Sequence, residues 1–149
     1  MSPPPLVFVD TNVFVYSVDD RDEIKQHRAR AWLGELWERR VGRTSAQVLN
    51  ELYVTLTRKL DGVSVTDARR LVDSLAAWQP VPLTASITHL AWAVEDLHGF
   101  SWWDSLVVAA AQRAGCGALL TEDLQHGQQL EEVQVVNPFE FSPQELFAD

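Results

Sequence analysis

The sequence predicts an α/β fold, a three-layer α/β/α sandwich around a mainly parallel central sheet of four to five strands, and three observations carry this. Leu6-Val7-Phe8-Val9 and Ala118-Leu119-Leu120-Thr121 are short apolar runs of the kind buried on both faces of a sheet. The segments between strand candidates show the three-and-four spacing of amphipathic helices. Strands separated by helices along a short chain need crossover connections, and these give parallel pairing and helices on both sheet faces. At 149 residues the chain fits one domain, residues 1–149, which can bury about two thirds of its unfolded surface.

Taken in order, the first strand runs into Asp10-Thr11-Asn12, and Thr11 to Val18 continues as a short helix up to the acidic turn Asp19-Asp20-Arg21-Asp22. Asp20 and Glu23 have capping-box spacing for a long helix from about Asp22 to Arg40. On its wheel Arg21, Lys25, Arg28, Trp32 and Arg39 share one side, and Ala29, Leu33, Leu36 and Trp37 form another. The basic stripe reads as a solvated face, and Arg21, Lys25 and Arg28 are also its candidates for touching phosphates. Val41 to Thr44 is a weak second strand. Ser45 can cap a helix over Ala46 to Leu60, in which Val48, Leu52, Leu56 and Leu60 face the core and Glu51 lies beside them.

Asp61-Gly62 ends that helix, Val63-Ser64-Val65 reads as extended, and Thr66 caps a further helix through Trp78. The prolines of Gln79-Pro80-Val81-Pro82-Leu83 favour a short strand. Thr84 starts a helix to about His98, which Gly99 terminates. Ser101 and Asp104 fit a capping box for a helix that is apolar almost all round, hence buried. Gly115-Cys116-Gly117 closes it, the strand Ala118 to Thr121 meets Glu122-Asp123, Gln125 to Gln129 is a polar loop holding the solvated His126, and Val133 to Val136 is the last strand.

The single cysteine, Cys116, excludes an internal disulfide framework and a cysteine zinc cluster, and points to a reducing compartment. Met1-Ser2-Pro3-Pro4-Pro5 lacks the features of a signal peptide, and no apolar run approaches the ~18 residues of a membrane span. The expectation is a soluble, cytoplasmic protein with no membrane partner. A net charge of −9 is the opposite of a nucleic-acid binder's usual footprint, but carries less weight if acids hold cations that invert the local field.

Four acids stand out by position: Asp10 and Asp123 after buried strands, Asp104 at the head of a buried helix, and Glu51 beside an apolar helix face. Each has an ordinary explanation, Asp10 and Asp104 as caps and Glu51 as a surface helix former. In a doubly wound sheet, however, strand ends and helix N-termini share one edge, so the four can converge. Carboxylates gathered in one cleft repel unless cations bind, and a hard-oxygen set without His or Cys suits Mg²⁺ or Mn²⁺.

Asp10-Thr11-Asn12, Ser45-Ala-Gln-Val-Leu-Asn-Glu51, Trp-Trp-Asp104-Ser-Leu-Val-Val-Ala-Ala-Ala and Thr121-Glu-Asp123-Leu, followed by Asn137-Pro138-Phe139, give the chain a resemblance to PIN-domain ribonucleases, specifically VapC-type toxins of prokaryotic toxin–antitoxin pairs. The likeness covers nearly the whole chain, with Asp61 to Gly99 matching only in layout. It implies a Mg²⁺- or Mn²⁺-dependent endoribonuclease whose catalytic and metal-site acids are Asp10, Glu51, Asp104 and Asp123. In this reading Asp10 and Asp104 coordinate directly, Glu51 and Asp123 directly or through water, and Thr11, Asn12, Ser45 and Thr121 hold the carboxylates by hydrogen bonds. Asp123 is preferred to Glu122 because the family places its acid two residues after the Thr. The resemblance further implies an RNA substrate, an antitoxin partner that inserts an arginine into the acidic site, and a homodimer. A haloacid-dehalogenase-like site would need an acid where Asn12 stands, and a receiver domain a late lysine, whereas the only lysines are Lys25 and Lys59. The remaining alternative is a catalytically silent PIN-like module that binds RNA or protein.

Overall fold

The computed structural model describes residues 3–148; Met1 and Ser2, part of the segment read above as lacking signal-peptide features, lie outside them. Its centre is a five-stranded sheet: β1 (Val7–Val9), β2 (Gly42–Arg43), β3 (Ala118–Leu120), β4 (Gln129–Leu130) and β5 (Val133–Val136) in the order β2-β1-β3-β5-β4. The first four in that order pair in parallel, and β4 joins the β5 edge antiparallel. Around it lie α1 (Thr11–Val18), α2 (Glu23–Arg39), α3 (Ala46–Arg58), α4 (Val65–Ser74), α5 (Ala85–His98), α6 (Trp102–Arg113) and α7 (Pro143–Phe147). Val7, Phe8, Val9, Leu119 and Leu120 are fully buried, as strands covered on both faces must be.

Strand order locates the functional edge. From β1 the chain moves one way along the sheet to β2, and from β3 it moves the other way to β5. The change of direction leaves a crevice between the carboxyl ends of β1 and β3, the place where open α/β sheets bind ligands. Right-handed crossovers correspondingly place α1 and α2 on one face and α5 and α6 on the other. In the β1–β3 register Val9 faces Leu120, so Asp10 and Thr121 leave the sheet side by side, and the Asp10 N–H still donates to the Leu120 carbonyl at 3.1 Å.

Several local expectations shift. α2 is capped by Asp22, whose side chain accepts from the Lys25 N–H, and the Asp20–Glu23 box does not form. Its buried tryptophan is Trp32, with Trp37 42% exposed, so the wheel is turned from the expected setting. The reason is tertiary: the Trp32 Nε1–H donates to the carbonyls of Pro138 (3.1 Å) and Phe141 (3.0 Å), which satisfies the one polar group of a buried indole. Ser64 caps α4 in place of Thr66, and Leu75–Trp78 continues as a 3-10 turn. The proline segment forms no strand of the sheet: only Val81 makes a bridge, to Ser45 beyond β2, because Pro80 and Pro82 have no N–H to donate. β4 falls within a stretch read partly as loop, and α7 lies beyond the last element read from the sequence.

Candidate active site

The site begins at Asp10, the N-cap of α1. Asp10 is only 5% exposed; its Oδ1 accepts from the Thr11 N–H (2.7 Å), the cap role, and its Oδ2 accepts from the Thr121 hydroxyl (2.9 Å). The two readings of Asp10 are therefore compatible, one oxygen for each. Thr11 and Asn12 then reach to opposite sides. The Thr11 hydroxyl donates to Glu51 Oε2 on α3 (2.8 Å), while Asn12 Nδ2 donates to Asp123 Oδ2 (3.0 Å) and lies 3.2 Å from Thr121 Oγ1 and 3.4 Å from Asp10 Oδ2. Thr121, fully buried, also accepts from the Asp123 N–H (3.1 Å), which fixes the turn after β3.

Glu51 has a second support that sequence reasoning missed. Gln47, buried one turn earlier on α3, donates from Nε2 to Glu51 Oε1 (3.0 Å) and to the Trp103 carbonyl (3.5 Å) at the head of α6. The i,i+4 spacing of Gln47 and Glu51 is the signal that points to it. Asp104 sits in the first turn of α6, where the Ser101 hydroxyl accepts its N–H (3.2 Å). The return bond of a capping box is not made, so its carboxylate is not committed to capping. Glu122 turns aside to pair with Lys25 at 2.8 Å, leaving Asp123 as the acid of that junction within the network.

Electrostatics follow from this crowding. Burial pushes the Asp10 carboxyl up to about 7, against hydrogen bonds from Thr11 and Thr121 that favour its charge; the charges of Asp123 and Glu51 push it up further. Asp123 is also raised, first by burial and then by the charges of Asp104, Glu122 and Glu51, with the Asn12 bond opposing. All four acids thus belong to one electrostatic neighbourhood, although Asp104 is tied to it through space and not by a hydrogen bond among the described residues.

The donor set suits a hard divalent cation, being carboxylate oxygen without His or Cys. Asn12 turns its amide nitrogen to these carboxylates and so positions them, while its Oδ1 is buried without a hydrogen-bond partner among the described residues. The acids do not form a closed cage: among the described residues no group of three or more His, Cys, Asp or Glu is arranged to hold a metal ion. The fit is therefore to an ion held by few protein ligands and completed by water and substrate, the usual manner of Mg²⁺.

The other expected residues lie elsewhere. Ser45 caps α3, its hydroxyl accepting from the Val48 N–H (3.2 Å), and so has a helix terminus and not a carboxylate as its partner. Arg21 pairs with Asp19 at 2.8 Å and lines a hollow with Asp20, Asp61 and Asp67 that includes none of the four acids. Lys25, besides its bond to Glu122, stands over the Tyr16 and Phe139 rings. Arg28 is half-buried on the same helix. His126 accepts the Asn137 N–H through Nδ1 (3.0 Å), bracing the chain after β5.

A parallel sheet with carboxylates gathered at its switch point defines a class of α/β proteins, and sequence comparison narrows it. The family model described as "PIN domain" matches residues 7–131, and the chain belongs to that family. No curated protein matches the sequence significantly. Among solved structures, the fold is similar to a toxin–antitoxin complex from Klebsiella pneumoniae (TM-score 0.66, 16% identity, covering 89% of this chain and 97% of that one). It is likewise similar to FitAcB from Neisseria gonorrhoeae (0.60, 21%, 91% and 99%) and to VapC20 of Mycobacterium tuberculosis, described as a sarcin–ricin loop cleaving toxin (0.56, 21%, 76% and 86%). At these identities the structural likeness speaks to the fold.

Proposed function

We infer that the chain is a divalent-cation-dependent endoribonuclease, the toxin of a toxin–antitoxin pair, and that Asp10, Glu51, Asp104 and Asp123 carry its activity. The observation that carries the reading is Asp10: a carboxyl buried at a strand end, hydrogen-bonded into a network with Asp123 and crowded by like charge, an arrangement that a bound cation offsets. Family membership supports it, as do fold neighbours described as a toxin–antitoxin complex and as a toxin that cleaves the sarcin–ricin loop.

When bound, Mg²⁺ or Mn²⁺ supplies Lewis-acid charge at the phosphate and lowers the pKa of water. The residues provide position. Thr121 and Thr11 hold Asp10 through both its oxygens, Thr11 and Gln47 hold Glu51 through both of its own, and Asn12 holds Asp123. Carboxylates fixed in this way would hold the cation, and with it the phosphodiester, with little reorganisation left for the reaction itself. In the absence of substrate the same acids suit a guanidinium, so an antitoxin segment bearing arginine is the inhibitor expected here. A homodimer and a cytoplasmic setting complete the reading.

The test is to sequence the 5′ ends of cellular RNAs after brief expression of the parent and of Asp10→Asn. New ends present with the parent and absent with the variant support the reading; indistinguishable sets of ends overturn it.

A further inference from the structure

Two hollows flank Glu51 and share Asn50 with it. One, of about 460 Å³, is walled by Ala46, Gln47, Leu83 and Trp103; the other, of about 390 Å³, by Thr11, Val54, Thr55 and Lys59. They meet at Asn50 and Glu51 on α3, so that Glu51, alone of the four acids, lines both, with an indole in one and an ammonium in the other. Trp103 is 60% exposed and Leu83 56%, although Trp103 immediately precedes Asp104 and its carbonyl is anchored by Gln47. The residue is thus held at its backbone while more than half of its surface is open. Lys59, exposed at the end of α3, has no ion pair among the described residues, in contrast to Arg21 and Lys25.

We propose that these two hollows are the path of the RNA strand, with Trp103 stacking one unpaired base beside the scissile phosphate and Lys59 contacting a backbone phosphate on the far side of Glu51. The inference rests on the nuclease reading and adds to it how the substrate is held. A protein of net charge −9 cannot gain much affinity from a general phosphate field, so a stacking platform and one local cation are the means left to grip a strand. Stacking requires a base freed from its helix, so this path selects unpaired nucleotides over duplex. It is sequence-tolerant, because every base has a π-face.

The experiment measures steady-state cleavage of a short single-stranded RNA of mixed sequence in Mg²⁺ by the parent, Trp103→Ala, Trp103→Phe, Lys59→Ala and Asp104→Asn. Trp103→Ala is expected to raise KM by roughly five- to a hundredfold, the value of one stacked base. Trp103→Phe recovers most of that loss, and the Mg²⁺ concentration for half-maximal rate stays where it is in the parent. Lys59→Ala is expected to flatten the log–log salt dependence of KM by about 0.7, one phosphate contact on a single strand. Parental KM in Trp103→Ala, while Asp104→Asn abolishes cleavage, overturns the stacking proposal and leaves the nuclease reading standing. Equal cleavage by parent and Asp104→Asn overturns that reading and this proposal with it. A Trp103→Ala protein of lower sedimenting mass, whose KM recovers at high protein concentration, assigns the indole to an interface between copies and overturns the proposal.

Discussion

At the scale of single residues, Asp10 makes the account testable without substrate. Its carboxyl is held near 7 in the folded chain against 3.8 ordinarily, so between those values the folded state retains a proton the unfolded state has lost. Stability therefore falls as pH rises through that window: the penalty is absent below about 4 and complete above about 7. Each unit corresponds to about 1.4 kcal/mol, so the whole window is on the order of 4 kcal/mol. Urea denaturation of metal-free protein should show this decline, Asp10→Asn should remove most of it, and saturating Mg²⁺ should offset it. A parent with the same pH profile as Asp10→Asn would contradict a buried, crowded carboxyl. Thr11 offers a second test, since its hydroxyl holds Glu51. Thr11→Val should weaken Mn²⁺ binding in calorimetry by roughly ten- to a hundredfold, the usual cost of losing a group that orients a ligand, and Thr11→Ser should restore it. Equal affinities in all three proteins would mean that Glu51 needs no such support.

At the scale of elements, the long helix and the first edge strand depend on two aromatic contacts. A Cβ built on Gly42 in β2 would lie 2.7 Å from the Trp78 ring, which also meets Phe14 and Trp37. Gly42→Ala must therefore displace the indole or the strand, at a cost of about 1–3 kcal/mol. The thermal midpoint should drop by roughly 2–4 °C for each kcal/mol, and an unchanged midpoint would show that Trp78 moves freely. Trp32 fastens α2 to the chain after β5 through two carbonyls. Trp32→Phe keeps the ring buried but leaves both carbonyls without that donor, which costs about 1–3 kcal/mol. Its amides around Pro138 and Phe141 should exchange faster with solvent than those of β1; equal protection would place the restraint elsewhere. These contacts also set the rotation of α2, which its sequence leaves open. Trp32 and Trp37 are alike in sequence, and only the carbonyls waiting at Pro138 and Phe141 decide which is buried.

For the whole molecule, what the sequence makes legible is the part dictated by local pattern. Two apolar runs ending in acids identify β1 and β3, whereas their adjacency in the sheet is set by the fold and is not written in either run. Asp10, Asp123 and Glu51 meet through Thr11, Asn12 and Thr121, three of the residues expected to hold them. Ser45 was expected among them and caps a helix instead, because its hydroxyl lies at the start of α3 and the Val48 N–H is nearest. Gln47 is not legible in the sequence, since a glutamine on a helix has no distinguishing neighbour there beyond its spacing from Glu51. The two-residue β4 has no periodicity to detect, and α7 follows Phe139, where no strand-to-acid pattern draws attention. Of the basic residues suited by sequence to touch phosphates, Arg21 before α2 and Lys25 within it are drawn into pairs with Asp19 and Glu122, partners set by folding. The central claim is that carboxylates at the switch point form a cation-dependent centre for cutting RNA. Its most direct test is single-turnover cleavage of single-stranded RNA by purified protein with Mg²⁺, with Mg²⁺ removed by chelation, and with Asp10→Asn, Glu51→Gln, Asp104→Asn and Asp123→Asn. The expected result is cleavage by the parent that chelation abolishes and Mg²⁺ restores, and a rate reduced at least a hundredfold in Asp10→Asn and Asp104→Asn, on the scale of losing one stabilising group of a catalytic centre. Cleavage that persists under chelation, or at parental rate in those two variants, would contradict it.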